Sequence, residues 1–188
     1  MREILITFLL LFISSSVLSA RMSKTEWVNK LEKLVKEPSS YRNKYPWNLL
    51  YWDGSRWWCD CLNLMKVLFN GRDINHKVKG SYQNRLIDPG DVTEWGLFSQ
   101  CSDQSSDFSK LKKGEPRLLY MQGHIGSYIG KEYKVKQGIV NSIECTGAMG
   151  GGIKYSYVDS KGGRYVNKGG TYLGKWAQHG KPTKWVTY

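Results

Sequence analysis

The chain has 188 residues, four cysteines and a formal net charge of +12. That length suits one domain with a real core, and it excludes a small scaffold held together mainly by disulfides. The surplus of base attracts polyanions such as nucleic acid, anionic lipid or bacterial wall polymers, but the basic residues are scattered and no nucleic-acid motif is visible, so no nucleic-acid partner is expected.

The first segment, "MREILITFLLLFISSSVLSA", carries an early Arg2, an apolar stretch from Ile4 to Ile13, and a small-residue end in which Val17 and Ser19 suit a signal peptidase. Residues 1–20 are therefore predicted to be a secretory signal peptide, and residues 21–188 a single secreted, extracellular domain. An uncleaved anchor is the alternative, disfavoured because the apolar run is short for a bilayer span. No second membrane segment follows, so no stable membrane insertion is expected. Losing the segment removes one base, Arg2, and one acid, Glu3, which leaves the charge at +12. Cys59, Cys61, Cys101 and Cys145 in a secreted chain permit two disulfides, and sequence does not assign the pairing.

Next, "SKTEWVNKLEKLVKEP" predicts a helix marked at both ends: Ser23 and Glu26 form a capping-box pattern, and Pro38 stops it. Trp27, Leu31, Leu34 and Val35 share one face, so this helical lead-in (21–44) packs on the domain. "SSYRNKYPWNLLYWDGSRWW" reads as an aromatic loop rich in turn residues. A second helix is predicted from about Asp60, with Leu64, Met65, Val67 and Leu68 apolar and Asn70-Gly71 as its stop. From Ile74 to Gln104 no period is clear, and "DPGD" falls inside, which predicts a long excursion. From Arg117 onward, "RLLYMQ", "HIGSYIG", "GIVNSIECT", "GIKYSYV" and "KWVTY" read as strands separated by turns. Helices followed by an antiparallel sheet predict an α+β domain.

The chemistry-bearing residues fall on these elements unequally. Cys61 opens the second helix, where free N–H groups and the helix dipole favour a thiolate, whereas Cys59 lies earlier in the predicted loop. A thiol nucleophile needs a base, and there are three histidines. His76, in "INHKVK", and His179, in "AQHGKP", read as solvated surface residues. His124 opens a strand, the position from which an imidazole can face a helix N-terminus. A polar group should orient that ring through its other nitrogen, and the next strand offers Glu144, with Asn141 as competitor.

"WWCDCLNLMKVLFNG" resembles the Asp-Cys-Ser-Gly nucleophile segment of the NlpC (p-sixty) family, papain-like hydrolases of bacterial cell-wall peptides. "GHIGSYIG" resembles that family's Gly-His-Val-Gly-Ile-Tyr-Ile-Gly strand, and "LKKGEPRLLYM" its Leu-Lys-x-Gly-Asp segment with Glu115 for the Asp. "IVNSIECT" with the later "GGI", and the tail "GKWAQHGKPTKWVTY", are similar to phage-type members, so the likeness covers residues 45–188 in order. The resemblance implies a papain-like α+β fold with N-terminal helices on a central antiparallel sheet. It implies Cys61 as nucleophile, His124 as general base and Glu144 as orienting residue. "LYWDG" is similar to the family's Tyr-x-x-Gly motif, which would place Tyr51 near the thiol, and Asp60 matches the family's Asp. The backbone N–H of Cys61 would contribute to an oxyanion hole.

Leu62 and Asn63 depart from the family's small residues, which puts its preference for a free stem-peptide amine in question while leaving Leu62 a reading as a core residue of its helix. The implied partner is bacterial peptidoglycan, with no cofactor, no metal and a monomeric enzyme. The amide cut is the D-glutamyl–diamino acid bond or, alternatively, muramoyl–L-alanine. The competing class is a non-catalytic wall- or glycan-binding module with Cys61 in a disulfide. A free Cys61 instead leaves room for one disulfide among the others, Cys101–Cys145 being one option.

Overall fold

The computed structural model describes residues 21–42, 49–71, 73–75, 77, 79–83 and 93–188. The expected signal peptide and His76 lie outside the described residues. A short strand, β1 (Met22–Ser23), leads into helix α1 (Lys24–Val35). The Ser23 hydroxyl accepts from the Glu26 N–H at 3.1 Å, so the capping residue acts as the sequence indicates. Trp27, Leu31 and Leu34 are buried, and the helix ends before Pro38.

The aromatic stretch that reads as loop is instead strand-forming: β2 (Ser39–Tyr41), β3 (Leu49–Trp52) and β4 (Trp57–Cys59). Its turn residues make a hairpin tip. The Asp53 carboxylate accepts from the Ser55 and Arg56 N–H groups and from the Trp58 indole N–H, while Gly54 takes φ +103°. Cys59 therefore closes a strand rather than lying in a loop. Helix α2 (Cys61–Phe69) follows and ends at Asn70, with Gly71 at φ +67° as the expected stop.

The long excursion contains β5 (Gly80–Gln83), the short helix α3 (Glu94–Phe98) and β6 (Ser102–Ser105). β2, β4, β3 and β5 form a four-stranded sheet in that order, parallel only between β2 and β4. The remaining strands are β7 (Arg117–Met121), β8 (His124–Val135), β9 (Gly138–Thr146), β10 (Gly152–Val158), β11 (Gly163–Tyr165), β12 (Tyr172–Lys175), β13 (Gln178–Lys181) and β14 (Val186–Thr187). Eight of the strands make an antiparallel sheet in the order β12-β11-β10-β9-β8-β7-β13-β6, and β14 pairs with β1. The domain is α+β.

α2 is apolar on nearly every side because it is enclosed. It packs against β3 of the small sheet and against β8 and β9 of the large one. Leu64, Met65 and Leu68 join Trp27, Leu31, Ile125, Ile129 and Ile143 in the main core, with Leu62 half-buried against it. Alternation along the strands sends Leu119, Tyr128 and Val158 to the other face, where they meet Phe108 and Trp176.

His179 is not the surface residue its polar neighbours suggest. It lies fully buried on β13; its Nδ1 accepts from Arg117 Nη1 at 3.1 Å and its Nε2 donates to the Asp107 carbonyl at 2.9 Å. Among the described residues, no helix is long and apolar enough to cross a membrane.

Candidate functional site

The site begins at the N-terminus of α2. Asp60 is the N-cap: Oδ1 accepts the Asn63 N–H at 2.7 Å and Oδ2 accepts the Asn63 side-chain amide at 2.5 Å. Asn63, one of the departures from the family pattern, thus locks the cap from two directions. Cys61 is the first residue of the helix and is only 4% exposed. The ionisation of its sulfur feels the N–H of Ile125, the residue that follows His124. The thiol donates to Glu94 Oε1 at 3.9 Å. Among the described residues, no hydrogen bond joins Cys61 directly to His124.

The expectation that the helix start favours a thiolate is overturned. Burial pushes the Cys61 thiol up to about 12, and the Asp60 and Glu94 carboxylates push the same way. The Ile125 and Leu62 N–H groups favour the thiolate, but they do not outweigh these effects. The resting sulfur is a neutral thiol.

His124 is delivered by the tight β7–β8 turn, in which Gly123 takes φ +72° and Met121 pairs with His124. Its ring stacks on Trp176, centroids 5.3 Å apart and planes 14° from parallel. Nε2 donates to Glu144 Oε2 at 2.5 Å. A neutral ring with its proton on Nε2 carries its lone pair on Nδ1, the base-competent arrangement. Gly126, paired with Glu144 across β8 and β9, clears the space. A Cβ there would lie 2.9 Å from the Trp176 ring and 3.3 Å from the Glu144 Cβ.

Glu144 is completely buried on β9. Arg164 of β11 clamps it: Nε donates to Oε1 at 3.0 Å and to Oε2 at 2.9 Å, and Nη2 donates to Oε2 at 2.5 Å. Burial alone would raise this carboxyl, but the hydrogen bonds from His124 and Arg164, with the guanidinium charge, hold it at about 2. Arg164 is itself fixed by donating to Thr146 Oγ1 at 3.1 Å and to the Leu173 carbonyl at 3.3 Å, and it lies over the Trp176 ring. Asn141, the competitor for orienting the ring, is committed elsewhere: its side chain exchanges two hydrogen bonds with the Val158 backbone, at 2.9 and 2.8 Å.

Tyr51 lies on β3 opposite Trp58, and among the described residues its side chain makes no hydrogen bond or ring contact. The tyrosine whose ionisation feels Cys61, Asp60 and Glu94 is Tyr41 of β2, raised by burial first and by those groups after it. Glu94 itself opens α3, next to Trp95. That indole is 50% exposed and leans on Tyr120, centroids 5.3 Å apart.

No family model, curated protein or solved structure matches this chain. Among the described residues, no group of His, Cys, Asp and Glu side chains is arranged to hold a metal. A buried thiol at a helix start, a stacked imidazole with one nitrogen fixed by a carboxylate, and an arginine fixing that carboxylate are the kinds of group that acyl transfer through a thiol requires. Of the residues the sequence singled out, the structure joins His124 to Glu144, and around them and Cys61 it adds Glu94, Arg164 and Trp176, which the sequence did not single out. The lone signal for Arg164 is a basic residue in a short strand, "GGRYV", with no partner legible nearby.

Proposed function

We propose that the chain is a secreted, papain-like cysteine hydrolase of the NlpC type that cleaves an amide in the stem peptide of bacterial peptidoglycan, the D-glutamyl–diamino acid bond ahead of muramoyl–L-alanine. The observation that carries the reading is the fixed His124–Glu144–Arg164 chain, with a thiol on the first residue of α2 whose ionisation feels the N–H of Ile125, the residue after His124.

In this mechanism the neutral Cys61 thiol is activated only as it reacts. Nδ1 of His124 takes the sulfhydryl proton while the sulfur attacks the scissile carbonyl. Negative charge on the carbonyl oxygen is met by the backbone N–H of Cys61 at the start of α2. His124 passes its proton to the departing amine, leaving a thioester on Cys61. Water, deprotonated by the same ring, then releases the acid and restores the thiol. Glu144 keeps the ring in the correct tautomer throughout and is not protonated, consistent with its depressed pKa. The basic surface favours approach to an anionic wall, and exposed Trp95 supplies an apolar wall near the thiol.

The deciding experiment incubates purified protein with isolated peptidoglycan and identifies released fragments by mass, with Cys61→Ala as control. The reading expects fragments with a new D-glutamate carboxyl and a new diamino-acid amine, absent with the variant. Fragments carrying a free L-alanine amine and intact muramic acid would move the cut to the alternative bond. Tight wall binding with no fragments at all would make the protein a binding module instead.

A further inference from the structure

The four cysteines are unequal in their surroundings, and two of them share one buried spot. Cys59 closes β4 and Cys145 lies on β9, at 1% and 0% exposure. The Cys145 sulfhydryl reaches the Cys59 carbonyl at 3.2 Å. That contact brings the Cys145 sulfur to the residue that carries the Cys59 sulfur. Cys61 is turned toward Glu94 instead. Cys101 packs against β13, where a Cβ on Gly180 would lie 2.7 Å from its own Cβ. β13 is three places from β9 in the large sheet. At one strand spacing each, that is about 14 Å, about twice the Cα separation a disulfide tolerates. The Cys101–Cys145 pairing left open by the sequence is therefore not available to the folded chain.

We infer that Cys59 and Cys145 are a disulfide-forming pair, oxidised when the chain folds in an oxidising compartment, with Cys61 and Cys101 remaining as thiols. The compartment follows from the reading of residues 1–20 as a signal peptide; the pairing follows from the fold alone. The oxidant is a low-molecular-weight or protein disulfide. The thiolate of one cysteine attacks it, forming a mixed disulfide and expelling one thiolate, which takes up a proton. The second cysteine then attacks the mixed disulfide, closes the S–S bond and expels the second thiolate, which is also protonated. Two protons and two electrons leave the pair, and one oxidant disulfide becomes two thiols. Once buried, the Cys145 thiol is pushed well up, chiefly by burial, so the exchange belongs to folding rather than to the finished protein.

The bond joins the strand entering Cys61 to the strand carrying Glu144, tying the two sheets together just behind the reacting groups. It touches none of the reacting atoms, so the pairing is tested without reference to activity. The full chain is exported to an oxidising compartment, purified without reductant, blocked with N-ethylmaleimide in denaturant, digested and mapped. The expected result is one linked peptide pair joining Cys59 to Cys145, with maleimide on Cys61 and Cys101. Reduction should lower Tm by roughly 5–15 °C, and a Cys59→Ala/Cys145→Ala double variant should be indifferent to reductant. Maleimide on all four cysteines, or a link that includes Cys61 or Cys101, overturns the inference. The map needs only wild-type protein, so it decides the pairing even where a variant fails to fold.

Discussion

Replacing Glu94 by Gln tests what holds the Cys61 thiol in its neutral form. The Glu94 carboxylate oxygen is 3.9 Å from the Cys61 sulfur. At that distance Coulomb's law gives about 4 kcal/mol against a thiolate with an effective dielectric constant near 20, and about 1 kcal/mol with a water-like one. The whole rise of the thiol, from 9.0 to about 12, is worth about 4 kcal/mol. Burial is its largest cause and Asp60 shares the remainder, so the Glu94 part is near the lower figure. A gain of about 1 kcal/mol raises the thiolate population about fivefold, and the weaker nucleophilicity of a more acidic thiol reduces this to a net two- to threefold. The assay is the rate of iodoacetamide labelling of Cys61 at pH 8 in wild type and Glu94→Gln, read by peptide mass. Cys101, raised by burial alone, serves as the internal control. Faster labelling of Cys61 with Cys101 unchanged is the expected outcome. An unchanged or slower rate at Cys61 would refute the assignment of Glu94 as a charge acting on the sulfur.

Two other expectations concern the buried polar groups. Arg164→Met strands the Glu144 carboxylate and should cost about 3–5 kcal/mol in urea unfolding at pH 7. In the wild type the Glu144 carboxyl is depressed to about 2 from 4.5, so its contribution, about 3 kcal/mol, is complete above pH 4.5 and lost as pH falls from there toward 2; equal steepness in the variant across that window would contradict the clamp. His179 is held below its ordinary 6.5, by burial first, so the folded state binds fewer protons there than the unfolded chain. Stability should therefore be complete above pH 6.5 and decline as pH falls below it, and in His179→Gln the decline in Tm over that range should be shallower.

Much of the fold was legible because its signals are local. Ser23, Glu26 and Pro38 bracket α1, Asn70-Gly71 ends α2, and the glycine-bounded runs after Arg117 are strands. Residues 39–59 were not, because their strands gain meaning only through distant pairing: β2 with β4, and β3 with β5. α3, at five residues, is too short to show a helical period. Within the site, His124 and Glu144 were legible as polar residues on successive strand-like runs, with Asn141 left as competitor to Glu144. Arg164 was not, since it reaches Glu144 from β11 with β10 between the two strands. For Cys61, its place in the chain revealed the helix start but not the burial or the Glu94 oxygen, and these reverse the conclusion about its charge. His179 illustrates the same limit: a histidine among polar neighbours can still be fully buried when Arg117 and a carbonyl satisfy both of its nitrogens.

The clamp on Glu144 also bears on how such a chain matures. The thiol is synthesised first, the imidazole and carboxylate in the second half of the chain, and the arginine and stacking indole after them. A nascent or C-terminally clipped product would thus hold the ring and its Glu144 partner with no guanidinium to fix that carboxylate and no indole to stack on the ring. The clamp would then be completed in one step, when the last part of the chain docks.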